Sequence, residues 1–479
     1  DLGPNALFKA RLCCQDFKRG NDHGDSDAFK HYSGVPAMPA IRTAMSLAIH
    51  WEREQGVRWE MALADVSTAF LHAPLDDRVI TPVPAGLSDQ FSGYSHWRLR
   101  KALYGLRAAP RLWAQHLEAC LRKLGYVPLV TEPSVFVLRD STGTVQSLIV
   151  GYVDDLLVFG PKTTVEKLLG QLQKLVLLKY KILEQDQSAK FLGLNVVRRS
   201  DCFELDASEY IDQLIERFEF TKLKPHDVPG FDFHYASDDG HTSRFVFVEG
   251  VNSRGEQLSE FWLKNYRTVV GSLMWLVGVR PDLAFCVKEL ARRINPHAAV
   301  QVFRYLKQTR GLKMRIGAVA DSKPIEVFSD ASWGGCPLSR SSTSGFLVKI
   351  FGSPVLWSSQ TQKVVSLSSM ESEAYAASSA ACDAEWLCSL LAELGVVKRD
   401  HQIVMHMDSQ AAIARLSTPG LGKVRHAAIR LAYLKDLVSS GRMFIHYTGT
   451  QELVSDLLTK HVKGTVLRHL RPSLGLANS

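Results

Sequence analysis

The stretch "YVDDLLVFG", Tyr152 to Gly160, seats Asp154 and Asp155 side by side among residues that otherwise read as core strand. Adjacent like charges repel, and burying either carboxylate without a partner costs roughly 2 kcal/mol or more. Any fold must therefore expose the pair on a turn or bring positive charge to it. The flanking runs "SLIVGYV" and "LLVFG" read as short strands, with Asp154-Asp155 as the two-residue turn of a hairpin. Such a tip puts both carboxylates at one edge.

A third acid belongs with them. "RWEMALADVSTAF" alternates, with Trp59, Met61, Leu63 and Asp65 on one strand face and Glu60, Ala62 and Ala64 on the other. That strand ends in a carboxylate. If the hairpin pairs beside it, three carboxylates converge into a site for two divalent cations. The competing view is an ordinary Asp-Asp turn and a strand-end cap at Asp65.

"WRLRKALYGLRAAPRLW" carries Arg98, Arg100, Lys101, Arg107 and Arg111 with no acid among them. With Trp97, Tyr104 and Trp113 interleaved, the run suits phosphate contact and base stacking. Pro110 then starts a helix whose apolar face holds Trp113, Leu117, Cys120 or Leu121, and Leu124, closed by Gly125. Those apolar residues are expected to be core.

At 479 residues the chain has room for about three domains. A composition 46% hydrophobic and 22% charged is that of a globular protein. Lys plus Arg exceed Asp plus Glu by 57 to 49, a net charge of +8 that suits an anionic partner. The eight cysteines show no CxxC pair, which points to a reducing compartment and no structural zinc. No apolar run reaches membrane-spanning length, no signal peptide is visible, and the start at Asp1 suggests a piece of something longer. Texture separates residues 1–224, a polar loop at 226–260, a mainly helical segment at 261–312, and a fresh α/β pattern from Pro324 onward.

The blocks "KARL" (Lys9 to Leu12), "DVSTAFL", "KALYGLRAAPRLW", "YVDDLLVFG" and "KFLGLNV" occur in the order found in copia-type retrotransposon reverse transcriptases. "YRTVVGSLMWLVGVRPDLAF" resembles the segment that follows the polymerase core there. The resemblance implies a right-hand polymerase with α/β and α+β domains: fingers and palm over 1–224, thumb or connection over 225–320, and a ribonuclease H-like domain over 321–479. It implies palm carboxylates Asp65, Asp154 and Asp155, with the Val66 carbonyl as a further metal ligand. It places Phe70 as a steric gate against ribose, Tyr104 and Gly105 beside the incoming nucleotide, and Lys9 and Arg11 facing its triphosphate. Arg107 is expected on the same substrate surface. Two Mg²⁺ ions per site, with Mn²⁺ as an alternative, would drive a displacement with the metals about 3.5–4 Å apart.

From Pro324 the order is strand, hairpin, helix, strand, helices, strand, helix, which resembles ribonuclease H. Its acids would be Asp330, Asp408, Asp456 and a glutamate at the start of the first helix. Ser368 and Glu371 have capping-box spacing, which gives Glu371 a structural task. The family pattern selects Glu373 in "ESEAYAA". His426 resembles a histidine that helps product leave, and equally suits an exposed helix position. Two departures stand out: Ser332 where many relatives carry a second aspartate, and "CCQDF" after "KARL".

The implied partners are an RNA template, a DNA primer, deoxynucleoside triphosphates and RNA–DNA hybrid. Upstream protease, integrase and capsid parts are expected in a longer polyprotein, acting in cytoplasmic virus-like particles before nuclear entry. Two rival classes remain: a noncatalytic nucleic-acid-binding relic, and a protein in which only the nuclease works. Seven retained carboxylates argue against the relic, since a binding groove gains by losing negative charge near phosphates.

Overall fold

The computed structural model describes residues 12–16, 34, 36–75, 78–87, 89–91, 93–230, 259–336, 339–418 and 428–478. Lys9, Arg11, His426 and most of the polar stretch 226–260 lie outside the described residues. The chain forms two compact units, one from Asp1–Ala37 and Arg58–Ile182, the other from Met38–Val57 and Leu183–Ser479. These do not follow the expected ranges 1–224, 225–320 and 321–479. The reason is strand pairing: Cys202 to Leu205 pair with Gly317 to Met314, which draws residues after 182 to the later chain. Helix α1 (Met38–Gln55) also belongs to the second unit.

The first unit is built on β1 (Trp59–Val66), α2 (Ala109–Lys123), β2 (Val127–Pro128), β3 (Val135–Arg139), β4 (Val145–Tyr152), β5 (Asp155–Pro161), α3 (Lys162–Leu172) and β6 (Leu178–Leu183). The sheet order is β2-β3-β4-β5-β1-β6. Ala62 and Ala64 of β1 join Trp113, Leu117, Ile149, Val158 and Leu169 in one core. The small alanines let helices lie close to the sheet centre. Helix α2 starts at Ala109-Pro110, buries Trp113, Leu117, Cys120 and Leu121, and is followed by Gly125 at φ 88, as its apolar spacing predicts.

In the second unit β7 (Ser188–Phe191), β8 (Leu194–Arg198), β9 (Cys202–Asp206), β10 (Leu312–Gly317) and β16 (Leu476–Asn478) form an antiparallel sheet, ordered β16-β10-β9-β8-β7. Helices α4 (Ser208–Arg217), α5 (Glu260–Val277), α6 (Ala284–Arg292) and α7 (Pro296–Gln308) lie between β9 and β10 in the chain. A second sheet, ordered β13-β12-β11-β14-β15, uses β11 (Ile325–Ser332), β12 (Thr343–Ile350), β13 (Ser353–Thr361), β14 (Ile403–Met407) and β15 (Met443–Tyr447). Helices α8 (Ser369–Glu393), α9 (Gln410–Ser417), α10 (Ala428–Ser439) and α11 (Gly464–Leu470) complete it. Buried α1 joins the two sheets: Ser46 Oγ donates to Gly317 O at 2.6 Å and Arg42 Nε to Val355 O at 2.7 Å. Among the described residues no helix is long and apolar enough to cross a membrane.

Candidate functional site

Strands β1 and β5 run antiparallel with Asp65 directly opposite Asp155. The hairpin tip differs from the expectation: Tyr152 pairs with Asp155, so the turn holds Val153 and Asp154, and Asp155 begins β5. Pairing with Asp65 draws Asp155 into the ladder. Val153 sits at φ 59, a left-handed conformation that costs a β-branched residue of order 1–3 kcal/mol. Two bonds hold the tip: Val66 N–H donates to Asp154 O at 2.9 Å, and the buried Trp113 indole donates to Val153 O at 2.5 Å. Asp65 is exposed, and burial raises the Asp155 carboxyl above its usual range, with the Asp154 and Asp65 charges adding to it. Three acids therefore gather at one sheet end.

Beside them a short 3₁₀ turn, Ala69–His72, carries Phe70, half-buried and packed against two apolar clusters. Its ring lies 4.8 Å from that of Tyr104. Gly105 is at φ 86, and a Cβ there would fall 1.9 Å from the Cys14 carbonyl oxygen, so only glycine fits. Cys14 N–H donates to Tyr104 O at 2.7 Å and Arg107 N–H to the Asp16 carboxylate at 3.1 Å. Cys14 and Asp16 thus brace the loop of Tyr104. Arg98, Arg100, Lys101 and Arg107 are exposed, as the basic run suggested.

The second unit gathers the other acids. Parallel pairing of β11 with β14 brings Asp330 and Asp408 out at the same sheet end. A 3₁₀ turn, Val454–Leu458, supplies Asp456, and the three carboxylates have oxygens within 4.8 Å of one another. Glu373 joins them from the first turns of α8. Burial foremost, then the Asp330 and Asp408 charges, pushes its carboxyl up to about 9, while the Ala331 backbone N–H opposes this. Its Oε2 is buried with no hydrogen-bond partner among the described residues. Glu371 points to the helix cap instead: Leu367 N–H donates to Glu371 Oε2 at 2.9 Å, and Glu371 N–H to Ser368 Oγ at 3.3 Å.

Sequence reasoning missed the residues that hold this cluster. Thr459 Oγ1 donates to Asp330, and Thr450 Oγ1 to Asp408 Oδ2 at 2.7 Å. Lys460 Nζ lies 2.9 Å from Asp456 Oδ1. Even so, burial and Asp330 push Asp456 up to about 7. Gly345, opposite Asp330 on β12, has Thr459 Cγ2 2.5 Å and Leu458 Cβ 2.8 Å from where a Cβ would stand. "VSDLLTK" carries Asp456, Thr459 and Lys460 at helix-like spacing, and that was the available signal.

Residues 3–231 match the family described as reverse transcriptase (RNA-dependent DNA polymerase). The retrovirus-related Pol polyprotein from transposon RE2 of Arabidopsis thaliana is 28% identical over 479 residues, covering 98% of this chain and 30% of its own length. That from transposon TNT 1-94 of Nicotiana tabacum is 31% identical over 474 residues, covering 95% and 33%. The chain thus spans about a third of these curated relatives. A solved foamy viral protease-reverse transcriptase in complex with RNA/DNA hybrid overlaps 84% of this chain and 46% of its own at 14% identity and a TM-score of 0.46. A likeness that distant carries no weight for fold or function.

Proposed function

Because the chain belongs to the reverse transcriptase family of retrotransposon Pol polyproteins, we propose that it copies RNA into DNA with its first unit and cleaves the RNA strand of RNA–DNA hybrid with its second. The observation that carries the polymerase half is the meeting of Asp65, Asp154 and Asp155 at one end of paired strands. For the nuclease half it is the cluster of Asp330, Asp408 and Asp456 with Glu373.

Among the described residues the carboxylate oxygens of Asp330, Asp408 and Asp456 lie close enough together to hold a metal ion, and Asp65, Asp154 and Asp155 offer the same oxygen donors at one strand end. Asp155, Glu373 and Asp456 are all driven toward protonation by burial and neighbouring acids, a cost that a cation removes. Asp65, the Val66 carbonyl, Asp154 and Asp155 would hold Mg²⁺ in the first unit, and Asp330, Glu373, Asp408 and Asp456 in the second, with Mn²⁺ as an alternative. When bound, such a cation supplies Lewis acidity and lowers the pKa of an attacking hydroxyl or water.

The chain's own groups do the rest. Exposed Arg98, Arg100, Lys101 and Arg107 offset phosphate charge on template, primer and incoming triphosphate. The Phe70–Tyr104 ring pair forms an apolar wall at the deoxyribose. Thr459 and Thr450 orient Asp330 and Asp408 by hydrogen bonds, and Lys460 holds charge beside Asp456.

The test uses purified protein with Mg²⁺, a DNA primer on RNA template and a labelled RNA–DNA hybrid. Primer extension and RNA-strand cleavage are both expected, and both should stop on chelation. Nucleic-acid binding with neither activity would establish the relic instead.

A further inference from the structure

We propose that Trp113 is a positioning residue for DNA synthesis, acting through a backbone hydrogen bond that holds the aspartate turn in a strained conformation. This rests on the polymerase reading of the first unit.

Val153 is the feature that demands explanation. A β-branched residue at φ 59 is unfavourable and persists only where surroundings enforce it. Its carbonyl receives the Trp113 indole N–H at 2.5 Å. Trp113 is 2% exposed, on the first turns of α2. A single buried donor therefore reaches the turn from a helix that Pro110 and the apolar face fix in place.

The surroundings lock the indole in its turn. The His72 ring lies 6.2 Å away and the His116 ring 6.0 Å away, both tilted against it. His72 Nε2 is 3.2 Å from Ser67 O, just past the end of β1, and donates to it in the Nε2-protonated tautomer. The same assembly that supports Trp113 thus touches the chain next to Asp65. On the far side of the turn, Asp154 O is taken by Val66 N–H at 2.9 Å. Neighbouring carbonyls of the turn are thus each tied down, one to a buried ring and one to the strand of Asp65.

The consequence is specific. If the indole N–H were lost, Val153 would be left with a part-buried acceptor unmet and a conformation it disfavours. The turn would relax, and the carboxylates of Asp154 and Asp155 would lose their set relation to Asp65. Catalytic geometry of this kind fails with shifts of about 1 Å. Glycine at 153 takes the same φ without strain, so it should make the indole bond dispensable.

The experiment is a double-mutant cycle of Trp113→Phe and Val153→Gly, reading primer extension in steady state and hybrid cleavage as a control for intact protein. In the Val153 background, Trp113→Phe should lower kcat roughly tenfold, the rate equivalent of one hydrogen bond, with nucleotide KM changed less than about twofold. In the Val153→Gly background the same change should cost less than about threefold. An equal loss in both backgrounds, or no loss in either, overturns the proposal and leaves Trp113 a packing residue. Absence of extension by the unsubstituted protein would instead overturn the polymerase reading itself.

Discussion

At the scale of single residues, two glutamates two positions apart on α8 have opposite fates. Glu371 closes the helix cap and Glu373 faces Asp330 and Asp408. Glu371→Gln is expected to cost at most about 0.5–2 kcal/mol of stability and leave cleavage rate intact. Glu373→Gln is expected to abolish cleavage. A nuclease assay beside thermal melts separates them, and the reverse pattern would show that the wrong glutamate was assigned.

Glu373 also sets a pH dependence. Its pKa rises from 4.5 to about 9 on folding, so between those values the native state binds the proton more tightly than the unfolded chain. Metal-free protein should therefore lose stability as pH rises through that window. Mg²⁺ needs the deprotonated carboxylates, so its stabilising effect should grow over the same range. Melting temperatures with EDTA and with Mg²⁺ check this. A metal effect independent of pH would refute it. Phe70 is a third case: its ring is both half-buried and 4.8 Å from Tyr104. Phe70→Ala should raise the ratio of ribo- to deoxynucleotide incorporation, with less than the roughly 3–5 kcal/mol destabilisation of a full core truncation. An unchanged ratio returns Phe70 to the core.

At the scale of elements, the aspartate hairpin was legible because two apolar runs flank a polar pair. Its turn was not. Placing Asp154-Asp155 at the tip follows composition, whereas the structure puts Val153 there because Asp155 already belongs to β5 and pairs with Asp65 of β1. No local rule predicts a β-branched residue at φ 59. The helix α2 was legible down to its proline start and glycine end, since its signals are local. The approach of the Val454–Leu458 turn to β12 was not, since it depends on a missing side chain far earlier in the chain, at Gly345. Gly345→Ala should force Leu458 and Thr459 outward, cost about 1–3 kcal/mol as overpacking does, and depress hybrid cleavage. Primer extension should continue. Full cleavage with unchanged stability would mean that the close approach is not needed.

At the scale of the whole molecule, the acid sets were legible as ordered motifs, while the way the chain is partitioned was not. The sheet that takes β7, β8 and β9 is closed by β10 and β16, from far along the chain, and α1 joins it from before β1. Pairings between distant segments leave no periodic trace in any one of them. What survives is a division of chemistry: Asp65, Asp154 and Asp155 all fall in the first unit, and Asp330, Glu373, Asp408 and Asp456 all in the second. The most direct test compares Asp154→Asn and Asp408→Asn in the same protein, scoring primer extension and hybrid cleavage side by side. Asp154→Asn should end DNA synthesis and spare cleavage, and Asp408→Asn should do the reverse. If either substitution removed both activities from a protein that still melts cooperatively, two separate sites would be the wrong description.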